Sequence, residues 1–231
     1  MRIPVEISGA SIVMMGHFNP IIFRPEWFRD KSILIGNDFD RVEINLIHPE
    51  VVQFKIPWGQ ISVDRNRFMV LANQEPVIRI QDFFVHCFQR LPETPVSALG
   101  LNREVHFDAG SLEARDRIGD ILAPKEFWGD FVTHDGRRAG GLRTLVMEQS
   151  IGINNHSARL DRKKGWIRVH VEPSSQIPTG TFVLVNDHYD LTSEGTLSDA
   201  KAAADIVAVE WPESKSRAEG LIDRIMGIVH A

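Results

Sequence analysis

RVEINLIHPEVVQFKIPWGQISVDRNRFMVLANQEPVIRIQDFFVHCFQRL, residues 41–91, decides the fold. Apolar and polar side chains alternate through Arg41 to Ile47, Val51 to Ile56, Gln60 to Val63 and Arg67 to Leu71, the period of strands with one buried face. Pro49 and the Pro57-Trp58-Gly59 turn interrupt these runs where hairpin connections belong. The period then changes. From Val77 to Leu91, residues Ile80, Phe83, Phe84, Cys87, Phe88 and Leu91 recur at spacings of three and four, which places them on one stripe of a helix that ends before Pro92. The unit predicted is an antiparallel β-meander covered by an amphipathic helix, with the aromatic stripe as its core.

Outward from this stretch, the plan recurs. A strand over Val96 to Phe107 leads to a helix beginning near Ser111, an N-cap residue with acidic side chains close behind. Strands are predicted near Leu142 to Gln149, Trp166 to Val171 and Thr181 to Val185, then helices from about Ser198 to Val209 and from Glu213 to Val229. The last helix carries Leu221, Ile222, Ile225, Met226 and Val229 at helical spacing. Short echoes support a duplication. Gly16-His17-Phe18 matches Val105-His106-Phe107, and Pro25-Glu26-Trp27-Phe28 matches Pro124-Lys125-Glu126-Phe127-Trp128. The fold class expected is α+β, with two similar halves, 1–92 and 93–231, packed as one globular unit. Gly140-Gly141 and the stretch before it read as a surface loop.

Composition narrows the function. With 26 Lys and Arg against 31 Asp and Glu, the overall charge does not favour a phosphate backbone, so nucleic acid is not the expected ligand. The single cysteine, Cys87, excludes an internal disulfide and any multi-thiolate zinc site, and its apolar neighbours make it a core thiol. The apolar run from Ala10 to Met15 is too short to span a membrane and is read as a first strand, which leaves a cytoplasmic location as the expectation.

No phosphate-cradling glycine loop, dinucleotide fingerprint or nucleophile elbow occurs in the sequence, and no cofactor is implied. The tightest histidine groupings are His170 with Glu172, and Asp187-His188 with Asp190, neither a full ligand set. One catalytic constellation survives: Glu148 with Asp161 and Lys163 could serve a metal-dependent nuclease, the acids holding the ion and the lysine positioning water. Asp161 to Gly165 also reads as an ordinary hairpin tip.

The strand Leu99-Gly100-Leu101-Asn102-Arg103, the strand end Phe182-Val183-Leu184-Val185-Asn186-Asp187-His188 and the closing amphipathic helix resemble a sporadically distributed, largely uncharacterised bacterial α+β family. The resemblance implies no catalytic residues. Length and order of elements are similar to SocB-type toxins, which implies the toxin of a toxin–antitoxin pair acting on a protein partner: an antitoxin, an adaptor, or the DNA sliding clamp, with inhibition of replication as the outcome. Clamp ligands insert a short segment of the type Gln-Leu-Ser/Asp-Leu-Phe. Gln60-Ile61-Ser62-Val63 is nearest to it here but continues with Asp64 where an aromatic or leucine belongs. Gln81-Asp82-Phe83-Phe84 has the apolar pair, yet sits inside the helix whose core needs it. A non-enzymatic protein-binding protein is therefore the expected function, with Gln60 to Val63 as its contact segment.

Overall fold

Alternation and helical spacing are realised as written. The computed structural model describes residues 3–135, 137–151 and 165–230. Its first half runs β1 (Val5–Gly16), α1 (Pro25–Asp30), α2 (Asn37–Asp40), the meander β2 (Glu43–His48), β3 (Val51–Ile56), β4 (Gly59–Asp64) and β5 (Arg67–Ala72), then α3 (Arg79–Gln89). The second half runs β6 (Pro95–Asp108), α4 (Leu112–Leu122), a small hairpin β7 (Thr133–His134) and β8 (Arg137–Arg138), the meander β9 (Leu145–Ile151), β10 (Gly165–Pro173) and β11 (Gly180–Asp190), then β12 (Ser198–Asp199) and α5 (Ala200–Gly227). The loop expected before Gly140 thus contains a hairpin, and the two C-terminal helices expected are one, with Pro212 inside it.

Apart from the β7–β8 hairpin, the strands form one antiparallel sheet in the order β2-β3-β4-β5-β1-β6-β11-β10-β9, with β12 pairing β6 beside this path. The two halves meet at β1 and β6, where an approximate twofold axis passes between Ile12 and Leu101, which pair with each other. The registers match about this axis. Ala10 pairs with Ala72 as Leu99 pairs with Tyr189, and the Ala10–Arg103 pair is mirrored by Met14–Leu99. Ala10 therefore corresponds to Leu99, Met14 to Arg103 and His17 to His106, a constant offset of 89 residues that agrees with the echo in the sequence. At the outer hairpins Gly59 pairs with Ile56 as Gly165 pairs with Ile151. At both glycines a Cβ would strike a neighbouring carbonyl, Leu71 O at 1.8 Å and His188 O at 2.0 Å, so the repeat preserves the residue that close backbone approach demands.

Helices α1, α3, α4 and α5 lie on one face. In the first half Phe23, Phe28, Phe54, Phe68, Phe83, Phe84 and Phe88 are buried together, with Phe68 and Phe88 edge-on at 4.9 Å and Phe28 stacked on Phe83 at 5.1 Å. Ala200, Ala203, Ala204, Val207 and Trp211 of α5 complete this core, while Ala218, Ile222, Ile225 and Met226 of the same helix enter the second core with Val105, Phe107, Val183 and Ile118. One helix thus closes both halves. It is fastened by crossed ion pairs: Arg103 of β6 donates to Glu219 at 2.7 Å, and Arg217 pairs with Asp187 of β11, which is 1% exposed. Arg103 also donates through Nη1 to Ser8 Oγ at 2.8 Å and to the carbonyls of Gly9 and Glu104, both at 3.0 Å, so its buried charge is held by an ion pair and several hydrogen bonds.

Candidate functional site

The predicted contact segment is not at a surface. Gln60, Ile61, Ser62 and Val63 lie on β4, which is paired on both sides, by β3 and by β5. Ile61 and Val63 are wholly buried and Ser62 is 9% exposed. Both edges of the backbone are in use and the apolar side chains fill the core, so this stretch cannot be the exposed edge strand expected of it. Gln81 is committed too: its amide donates to the carbonyls of Val207 and Ala208, and Phe83 and Phe84 are core residues.

The catalytic alternative fares no better at its described member. Glu148 on β9 accepts from Arg168 Nε at 3.0 Å and from Nη2 at 2.5 Å, which occupies it as an ion-pair partner; Asp161 and Lys163 lie outside the described residues. Among the described residues no three His, Cys, Asp or Glu side chains come close enough to hold a metal. The Asp187-His188 grouping splits by face. His188 stacks on Trp166 at 4.3 Å, with the Arg168 guanidinium 4.1 Å over the indole, whereas its neighbour Asp187 points to the helix side and holds Arg217. Burial lowers the His188 pKa, as it does that of His106. Burial also raises the Cys87 thiol well above its ordinary range.

A serine–histidine contact does exist, between His106 Nδ1 and Ser174 Oγ at 2.8 Å. The same oxygen accepts from the amides of Gln176 and Ile177, each at 3.0 Å. With its lone pairs spent on the turn, Ser174 is a loop fastener and not a nucleophile.

The residues that stand out are those the sequence grouped as an echo. In the first half the proline-led aromatic segment is packed inward: Phe23 is 1% and Phe28 0% exposed, under the sheet at Phe68 and Phe54. In the second half its counterpart faces solvent, with Phe127 90%, Trp128 57% and Phe131 79% exposed. Trp128 and Phe131 lie 6.2 Å apart and, with Leu142 and Arg143, line a cleft of about 180 Å³. A larger hollow of about 340 Å³ lies on the other side of the Gly140–Arg143 strap, bounded by Arg115, Asp116, Glu172 and Thr181. The strap leads directly into β9, whose Val146 is 45% and Met147 61% exposed. Large apolar side chains exposed together set this loop apart from the inward-packed segment of the first half. Periodicity could not find them, because three aromatics within five residues read as core until neighbours are known.

Set against protein-family models and curated proteins, the chain matches none.

Proposed function

We propose that this protein acts by binding another protein, without chemistry of its own, and that the aromatic loop Phe127–Phe131 is its contact surface. The observation that carries the reading is the contrast between the two aromatic segments that echo each other in sequence, one buried and one displayed. Three large apolar side chains held in water are a standing cost of roughly 1.5–3 kcal/mol each relative to burial, which a partner's surface would recover. Charges in the segment are balanced, Asp120, Glu126, Asp130 and Asp135 against Lys125, Arg137, Arg138 and Arg143, so nucleic acid and anionic lipid are poorly matched to it.

The resemblance to SocB-type toxins extends this reading to a toxin whose partner is an antitoxin, an adaptor or the DNA sliding clamp, working in the cytoplasm. No helix among the described residues is long and apolar enough to cross a membrane. A clamp would have to be engaged through the aromatic loop, since Gln60 to Val63 is core. The test is affinity capture with the purified chain and with Phe127→Ala/Trp128→Ala/Phe131→Ala. Partners retained by the wild type at high salt and lost by the triple variant support the proposal; identical capture by both ends it.

A further inference from the structure

The duplication supplies an internal template for what the second half lacks. Matching the outer hairpins through Gly59 and Gly165 makes Val52–Val63 equivalent to Met147–Val169, and Ile56 equivalent to Ile151. Val52 is wholly buried and its equivalent Met147 is 61% exposed. Val52 belongs to the aromatic core that contains Phe23 and Phe28, and the two halves differ at the sheet edge as well. In the first half the outer edge of β3 is covered by β2, whose Ile47 pairs with Val52 and Ile44 with Phe54. In the second half β9 ends the sheet and nothing corresponding to β2 pairs with it among the described residues.

Its edge is not defended either. Sheet edges are ordinarily blunted by lysine, proline or inward charge, but β9 reads Leu145-Val146-Met147-Glu148-Gln149-Ser150-Ile151, and its one charge is drawn onto Arg168 of β10. The aromatic cleft lies just before its start, lined by Leu142 and Arg143, and Arg143 is exposed.

We propose that the outer edge of β9 receives an extended segment of the partner protein as an added antiparallel strand, apolar in its body and acidic at its C-terminal flank. The antiparallel sense sets that flank beside Arg143 and the aromatic loop, and the apolar body against Met147 and Val146, as Ile47 of β2 lies against Val52. β-Strand addition of this kind draws affinity from the main chain and selectivity from alternate side chains. This inference rests on the protein-binding reading above and specifies how the partner is held.

The chain's own β2 provides the probe. A fluorescent peptide of residues 41–50, RVEINLIHPE, carries the apolar body and, in Glu50, the acidic flank. Added to the intact protein, it is expected to bind saturably and to slow amide exchange over residues 145–151. Met147→Lys and Arg143→Glu should each weaken it by about tenfold or more, and Glu50→Lys in the peptide should do the same, with the protein's thermal midpoint unchanged. A scrambled peptide binding equally well, absence of saturable binding, or indifference to Met147→Lys overturns strand addition. Concentration-dependent self-association of the protein, abolished by Met147→Lys, would assign the edge to a second copy and also overturn it. The two readings separate cleanly. A captured partner lost with the aromatic triple variant but retained by Met147→Lys leaves the protein-binding reading standing and removes this one.

Discussion

The side-chain amide of Gln81 donates to the carbonyl of Ala208 at 3.1 Å, the carbonyl that Pro212, four residues on, has no N–H to reach. A second contact runs to the carbonyl of Val207 at 3.3 Å. A proline inside a helix leaves that carbonyl without its helical partner, and here a residue of α3 supplies a donor in its place.

Gln81→Ala should therefore cost about 0.5–1.5 kcal/mol, whereas Pro212→Ala restores the regular helix bond and makes Gln81 dispensable. In the Pro212→Ala background the same Gln81 change should cost less than about 0.5 kcal/mol. Urea unfolding of the four proteins, read as a double-mutant cycle, checks this; additivity would refute the coupling.

The ion pair of Asp187 with Arg217 predicts a larger loss. Asp187→Ala leaves a half-buried guanidinium, whose pKa burial already lowers, with only the looser Glu213 pair at 3.7 Å, at a cost of about 3 kcal/mol. The midpoint of chemical unfolding should fall with its slope unchanged. A joint replacement by apolar residues should recover most of the loss.

The two aromatic segments should respond oppositely. Phe28→Ala removes a wholly buried ring and should destabilise by about 3–5 kcal/mol. Phe127→Ala, at 90% exposure, should change stability by less than about 0.5 kcal/mol. Thermal melts of the two variants give the answer directly, and equal losses would contradict the placement of the second segment.

Much of the fold was legible in residues 41–91, because alternation and a helical stripe each report burial on one side. The duplication was legible only as fragments. Its strongest form is the register, in which Ala10 answers to Leu99 and Met14 to Arg103, and such pairs share position without sharing chemistry. The contact segment was misplaced for a related reason. Gln60 to Val63 follows a turn, and sequence does not tell an edge strand from one flanked on both sides. Phe127 and Trp128 were noticed only as an echo of Pro25 to Phe28, and Phe131 was not noticed, since composition gives hydrophobicity and not exposure.

Stability should depend on pH through His188 and His106. Burial lowers both pKa values from about 6.5, so the unfolded chain takes up protons that the folded chain resists. Their contribution is present above the unfolded value and is lost as pH falls below about 6.5 towards the folded pKa values. The thermal midpoint should drop across that window, and His188→Gln should flatten the decline. A pH-independent midpoint between 7 and about 5 would contradict it.

Cys87 is wholly buried, with its thiol held protonated. A thiol-specific reagent should modify it only as fast as the chain unfolds, with complete reaction in denaturant. Stoichiometric labelling of the folded protein would show the core around α3 to be open.

The reach of α5 also bears on how the chain is made. Ala200, Ala203, Ala204, Val207 and Trp211 belong to the core of the first half, yet they leave the ribosome long after Phe28 and Phe88. A nascent chain through residue 92 therefore carries an aromatic core with one wall missing, and it must wait for more than a hundred further residues before that wall arrives. A chaperone that shields Phe23, Phe28 and Phe88 during this interval would be protecting the same core that α5 later closes.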